Sequence, residues 1–239
     1  FSLPLNIFLK IWYTRFNQLN ESEDIKMDIL ETMKARHSVR QYKNQAIESS
    51  KREKINALIK DVNAESKLSI QVFYDEPKCF DSFMAHYGKF ENVKNYIAIV
   101  GNKNDQEKAG YYGEKIVLKC QKLGLNTCWV AMTHGKSKAQ IKRGQKLLII
   151  ISLGYGETQG VPHKSKSIAE LGQADQKNEW FEKGMEAVSL APTAVNQQKF
   201  YFELKNGIVT AKNLGGFYSR IDLGIVKYHF EAVTGHEVK

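Results

Sequence analysis

Four short stretches carry side chains whose types and spacing can do chemistry. The first is Arg36-His37-Ser38-Val39-Arg40. Two guanidinium forks flank a hydroxyl, a set that matches the oxygens of a phosphate. The plainer reading is a charged helix end, with cations near the last carbonyls. The second is Leu190-Ala191-Pro192-Thr193-Ala194-Val195-Asn196-Gln197-Gln198. Pro192 stops a helix. Asn196 and Gln198 each carry a donor and an acceptor, so they can read the edge of a heterocycle; an ordinary polar loop has the same composition. The third, Leu123-Gly124-Leu125-Asn126-Thr127-Cys128-Trp129-Val130, is a glycine-stopped helix entering an apolar turn, or core packing around Trp129. In the fourth, Gly154-Tyr155-Gly156 is followed, beyond Pro162, by His163-Lys164-Ser165-Lys166. Lysines placed there can meet a phosphate or can form a basic surface loop.

Periodicity supplies the elements that must position these groups. Residues 28–35 and 50–64 read as helices. In the second, Ile55, Leu58, Ile59 and Val62 share a face, and Ser50 with Glu53 has the pattern of a capping box. Residues 68–74 alternate as a strand, and 96–100 form a fully apolar run suited to a sheet interior. Residues 107–123 are a long amphipathic helix stopped by Gly124. The most hydrophobic strand is 146–153. Beyond it come a helix at 178–190, a hairpin of 199–204 with 208–212 across Asn206-Gly207, and a last helix at 220–233. The order helix then strand occurs at 50–74 and again at 178–204, an internal echo.

Composition bounds the function. The chain has 239 residues, 42% hydrophobic and 11% aromatic, enough to bury a core and to exclude disorder. Cys79, Cys120 and Cys128 form no CxxC pair, which argues against a disulfide framework or a metal site and predicts a cytoplasmic protein. Formal charge is 35 − 26 = +9. The lysines are spread along the chain, with one denser run at 136–146. No nucleic-acid motif accompanies them, so a solvated basic surface and no nucleic-acid partner are expected. No stretch approaches the roughly 20 apolar residues of a membrane span, and the first 16 lack the order of a signal peptide. Residues 1–26 read as an N-terminal arm or as a segment foreign to the domain, which Met27 opens.

Together the four stretches resemble the nitroreductase family of FMN enzymes, over roughly residues 27–204. The resemblance implies an α+β fold: a mixed, mainly antiparallel sheet flanked by helices. It places Arg36, His37, Ser38, Arg40, Lys164 and Lys166 at the FMN phosphate. Pro192, Thr193, Asn196 and Gln198 fall at the flavin edge. Cys128, Trp129 and Val130 pass the ring, with the backbone of Val130 or Ala131 as the donor to flavin N5. The implied chemistry is ping-pong: NAD(P)H reduces the flavin, and a small oxidising substrate such as a nitroaromatic or quinone is reduced in turn. Neither a side-chain acid or base nor a metal is invoked. The chain departs from the common pattern in three places. Its Asn-x-Gln loop follows the Gly-Tyr-Gly strand instead of preceding it. Lys199-Phe200 stands where Pro-Trp is usual, and Val130-Ala131-Met132 where many members have glycine. These departures resemble an atypical branch with shifted motif order, and they leave a non-catalytic FMN-binding protein as the alternative. The late loop also implies two halves, 27–172 and 173–239, the second standing in for part of a partner subunit. The expectation is a monomer with a pseudo-twofold cleft; a homodimer is the alternative.

Overall fold

A computed structural model describes residues 28–239; the expectation of an arm at 1–26 lies outside them. Helix α1 (Ile29–Ala35) buries Leu30 and Met33. Helix α2 (Ser49–Ser66) buries Ile55, Ile59 and Val62, as the spacing requires. Its N-cap is Glu48, and no side chain caps it, so the expected box at Ser50 and Glu53 does not form. A capping box does form at Ser167 and Glu170, on the short helix α5 (Ile168–Leu171).

Strands β1 (Ser69–Phe73), β2 (Asn95–Gly101), β3 (Asn126–Val130) and β4 (Lys146–Gly154) form one antiparallel sheet in the order β1-β2-β4-β3. Every residue of β2 is buried, which explains its unbroken apolar run. Strand β3 is a correction, since its residues read as a turn. The alternation there is masked because four of its five residues are buried, and pairing with β4 decides the conformation. Between β1 and β2 lies the short helix α3 (Phe83–Tyr87), capped by Ser82. Strands β5 (Gly172–Ala174), β6 (Phe200–Lys205) and β7 (Ile208–Asn213) form a second sheet, with β5 parallel to β6. Asn206 and Gly207 turn the β6–β7 hairpin with φ of 51° and 74°, the two positive values that a type I′ turn needs. The architecture is therefore α+β and mainly antiparallel.

Helices α4 (Gln106–Lys122), α6 (Glu179–Ser189) and α7 (Ser219–Thr234) cover the sheets. Helices α4 and α7 cross at two glycines. A Cβ on Gly110 would lie 2.0 Å from the Ile221 carbonyl oxygen, and one on Gly224 would lie 1.9 Å from that of Glu107. The relation is reciprocal. Each glycine meets the residue three positions before the other, so a local twofold runs through the crossing. Only glycine permits the backbones to come this close.

Candidate functional site

Segment 36–40 leaves α1 extended and runs beside β3, with Ser38 bridged to Thr127 and the Val39 N–H donating to the Thr127 carbonyl at 3.0 Å. It touches two cavities. The larger encloses about 600 Å³, within the usual range for a ligand of cofactor size. One wall comes from the first part of the chain: Ser38, Arg40, Cys128, Trp129, Ala131, Met132 and Thr133. The other comes from the last part: Pro192, Thr193, Ala194, Val195, Phe217, Tyr218, Ile221, Asp222 and Ile225. The smaller encloses about 220 Å³ and is lined by Arg36, His37, Pro162, His163 and Ser165 among others.

Arg36 is 3% exposed. Its Nε is ion-paired with Glu114 Oε1 at 3.8 Å, beyond hydrogen-bonding distance, and has no hydrogen-bond partner among the described residues. Burial pushes the guanidinium pKa down, and Glu114 opposes that push. Burial, with Arg36 beside it, likewise lowers His37. Burial also lowers His163, to which Arg36 and His37 add. Both imidazoles are thus held toward their neutral form, and the buried charge here is the Arg36 guanidinium, which an anion would favour.

Glu114 on α4 is the hub behind the cleft. Its Oε2 accepts from the Trp129 indole at 3.0 Å, and its Oε1 faces His229 Nε2 at 3.0 Å. Burial works against the carboxylate, yet His229, Arg36 and Trp129 hold its pKa below the ordinary range. His229 Nδ1 meets the Ala187 carbonyl at 2.8 Å. One buried cluster thus fixes Trp129 in the wall and ties α4, α6 and α7 together.

The structure gathers most, not all, of the residues expected at the site. Ser38, Arg40, Cys128, Trp129, Ala131, Pro192 and Thr193 line the large cavity, and Arg36 and His37 line the small one. Burial raises the Cys128 thiol pKa and so disfavours its thiolate. Val130 lies within the sheet opposite Ile150 and does not reach the wall. Asn196, Gln198, Lys164 and Lys166 line neither of these cavities, and hydrogen bonds join them to one another. The Asn196 and Gln198 amides both donate to the Lys164 carbonyl, each at 2.9 Å. Gln198 Oε1 accepts from the Lys166 N–H at 2.8 Å, and Lys166 Nζ donates to the Gln198 carbonyl at 3.1 Å. These groups brace the loop; Gln198, buried with its donors and acceptor committed, cannot also read a heterocycle without breaking those bonds, whereas Asn196 is exposed.

Sequence reasoning missed Asp222, Glu114 and His229. Asp222 accepts from the Ala194 N–H at 2.9 Å and from Gln197 Nε2 at 2.7 Å, so it pins the loop that Pro192 begins. The signal was available: an aspartate beside Ile221 and Leu223 sits on the apolar face of the last helix.

Fold and site together define an α+β protein with a partly apolar cleft and a second, smaller pocket fronted by Arg36 on the same segment. Residues 28–234 match the model of the family described as "Putative TM nitroreductase". The chain belongs to that family. In structure it is similar to a "putative nitroreductase" of Thermotoga maritima MSB8, with a TM-score of 0.64 and 24% identity over 87% of this chain and 83% of that one; the likeness is one of fold. It also matches an FMN-dependent nitroreductase of Clostridium difficile R20291 (TM-score 0.43, 21% identity, 59% of this chain and 92% of that one). A nitroreductase of Desulfovibrio desulfuricans in complex with FMN gives a TM-score of 0.47 and 15% identity, over 61% and 95%. No curated protein matches the chain. No helix among the described residues is long and apolar enough to cross a membrane.

Proposed function

We propose that this protein is an FMN-dependent oxidoreductase that takes its electrons from NAD(P)H and passes them to a small oxidising substrate such as a quinone or nitroaromatic. The observation that carries the reading is the pair of cavities on one segment. Arg36, its buried Nε without a hydrogen bond, fronts the small pocket, while Ser38 and Arg40 front the large one. A flavin ring on a phosphate tail has the complementary shape and charge. Arg36 and His37, with His163 and Ser165, would hold the phosphate. Ser38, Arg40, Cys128, Trp129 and Ala131 would hold the ring against Pro192 and Thr193.

Bound there, FMN supplies a ring that takes up two electrons and gives them on. The protein's share is placement and exclusion. Glu114 locks Trp129 in one orientation. Asp222 holds the Ala194 segment over the cleft. Apolar Ile221 and Ile225 on α7 line the same wall and keep water out. The net reaction balances as a quinone, a reduced nicotinamide and one proton giving a hydroquinone and the oxidised nicotinamide.

Titration with FMN tests the site. Arg36→Ala and Arg40→Ala should each weaken binding about ten- to a hundredfold, since a hydrogen bond to a charged group contributes roughly 1.5–3 kcal/mol. Unchanged titrations in both variants would remove the assignment. Anaerobic mixing of the FMN-loaded protein with NADH and NADPH tests turnover. A flavin spectrum that stays oxidised with both leaves an FMN-binding protein and no enzyme.

A further inference from the structure

The mouth of the large cavity is apolar and open to solvent. Tyr87, Met132, Val195 and Phe217 all line it, yet they are 75%, 58%, 82% and 41% exposed. Single exposed apolar side chains are ordinary; four around one opening mark a contact surface. Val195 is also strained. It is β-branched and sits at φ 47°, ψ 26°, a conformation that costs on the order of 1–3 kcal/mol and persists where function holds it.

Lys89 stands at the same opening, just past Gly88, with a left-handed φ of 60°. Among the described residues no hydrogen bond, ion pair or ring contact engages its ammonium. The lining has a single carboxylate, Asp222, and both its oxygens are already met by Ala194 and Gln197. The other lining cation, Arg40, lies over the Phe90 ring at 5.9 Å, and the cofactor reading assigns it to the flavin. Lys89 is thus the charge left for a second ligand.

We propose that the electron acceptor of this cleft is an aromatic molecule carrying an anionic substituent. Its ring packs among Tyr87, Met132, Val195 and Phe217, and its anion meets Lys89. The assignment rests on the oxidoreductase reading above. An anion beside an aromatic ring also occurs in a nicotinamide dinucleotide, so the test separates acceptor from donor.

The experiment uses the FMN-loaded protein with NADH as donor and two acceptors, 1,4-naphthoquinone-2-sulfonate and uncharged 1,4-naphthoquinone. Their different reactivities cancel when the ratio of their kcat/KM values is compared between variants. Lys89→Ala should lower the sulfonate-to-neutral ratio about tenfold, the worth of one charge-assisted contact, and Lys89→Glu should lower it further. Reduction of the flavin by NADPH is measured alongside. An unchanged ratio in an active enzyme overturns the acceptor assignment. So does an unchanged ratio accompanied by slower reduction with NADPH, which would give Lys89 to the donor. A protein that turns over neither quinone overturns the oxidoreductase reading, and this inference with it.

Discussion

Asp222 accepts two hydrogen bonds from the cleft loop, yet burial still pushes its pKa from an ordinary 3.8 up to about 6. A raised pKa means that the fold prefers the protonated acid. The stability this group contributes is full below pH ~4 and is lost as the pH rises through about 6. The swing is on the order of 3 kcal/mol, at 1.36 kcal/mol per unit. Asp222→Asn should remove it: urea melts at pH 4, 5.5 and 7 should show the variant gaining on the parent as the pH rises. A difference that stays flat with pH would refute this account. At this scale the sequence showed which residue types were present, not what each would touch. The motif suggested one phosphate for Arg36, Ser38 and Arg40 together, but the chain divides them: Arg36 lines the small cavity, Ser38 and Arg40 the large one. Asn196 and Gln198 had the right chemistry, but the Lys164 carbonyl claimed their amides, and no local pattern announces a partner some thirty residues away. Glu114 and His229, 115 positions apart, were invisible for the same reason.

Among the elements, those with a strong period were legible to within two residues. Helix α4 and strand β4 are examples, because each presents one buried pattern from end to end. Strand β3 was not, since its neighbours and not its own sequence decide its conformation. The crossing of α4 and α7 was equally hidden, for nothing in Gly110 or Gly224 says which helix will lie against it. That crossing carries a prediction. Gly224→Ala would drive a methyl to 1.9 Å from a backbone oxygen, and Gly110→Ala to 2.0 Å, so the helices must part. Overpacking of this kind costs typically 1–3 kcal/mol, and more where backbone must move. Each variant should lower the urea midpoint accordingly, and because α7 carries Asp222, Ile221 and Ile225 in the cavity wall, each should also weaken FMN. Full stability in both variants would contradict the close approach.

For the molecule as a whole, the main consequence is that a single chain supplies both walls of the cleft, one from residues before 150 and one from residues after 191. A site completed within one chain needs no second copy, and light scattering on the FMN-loaded protein should give the monomer mass. Mixing an Arg40→Ala variant with an Asp222→Ala variant should then restore nothing; a dimer with rescue would show a shared site. The local twofold at Gly110 and Gly224 suggests what would happen if the chain were cut. Residues 175–177 form an exposed link between β5 and α6. Severing it leaves two pieces, each holding one glycine of the crossing and one wall of the cleft. Expressed as separate polypeptides, they should dock through that crossing and become an obligate heterodimer. Their FMN binding would then depend on protein concentration, because the covalent link would no longer offset the entropy of association.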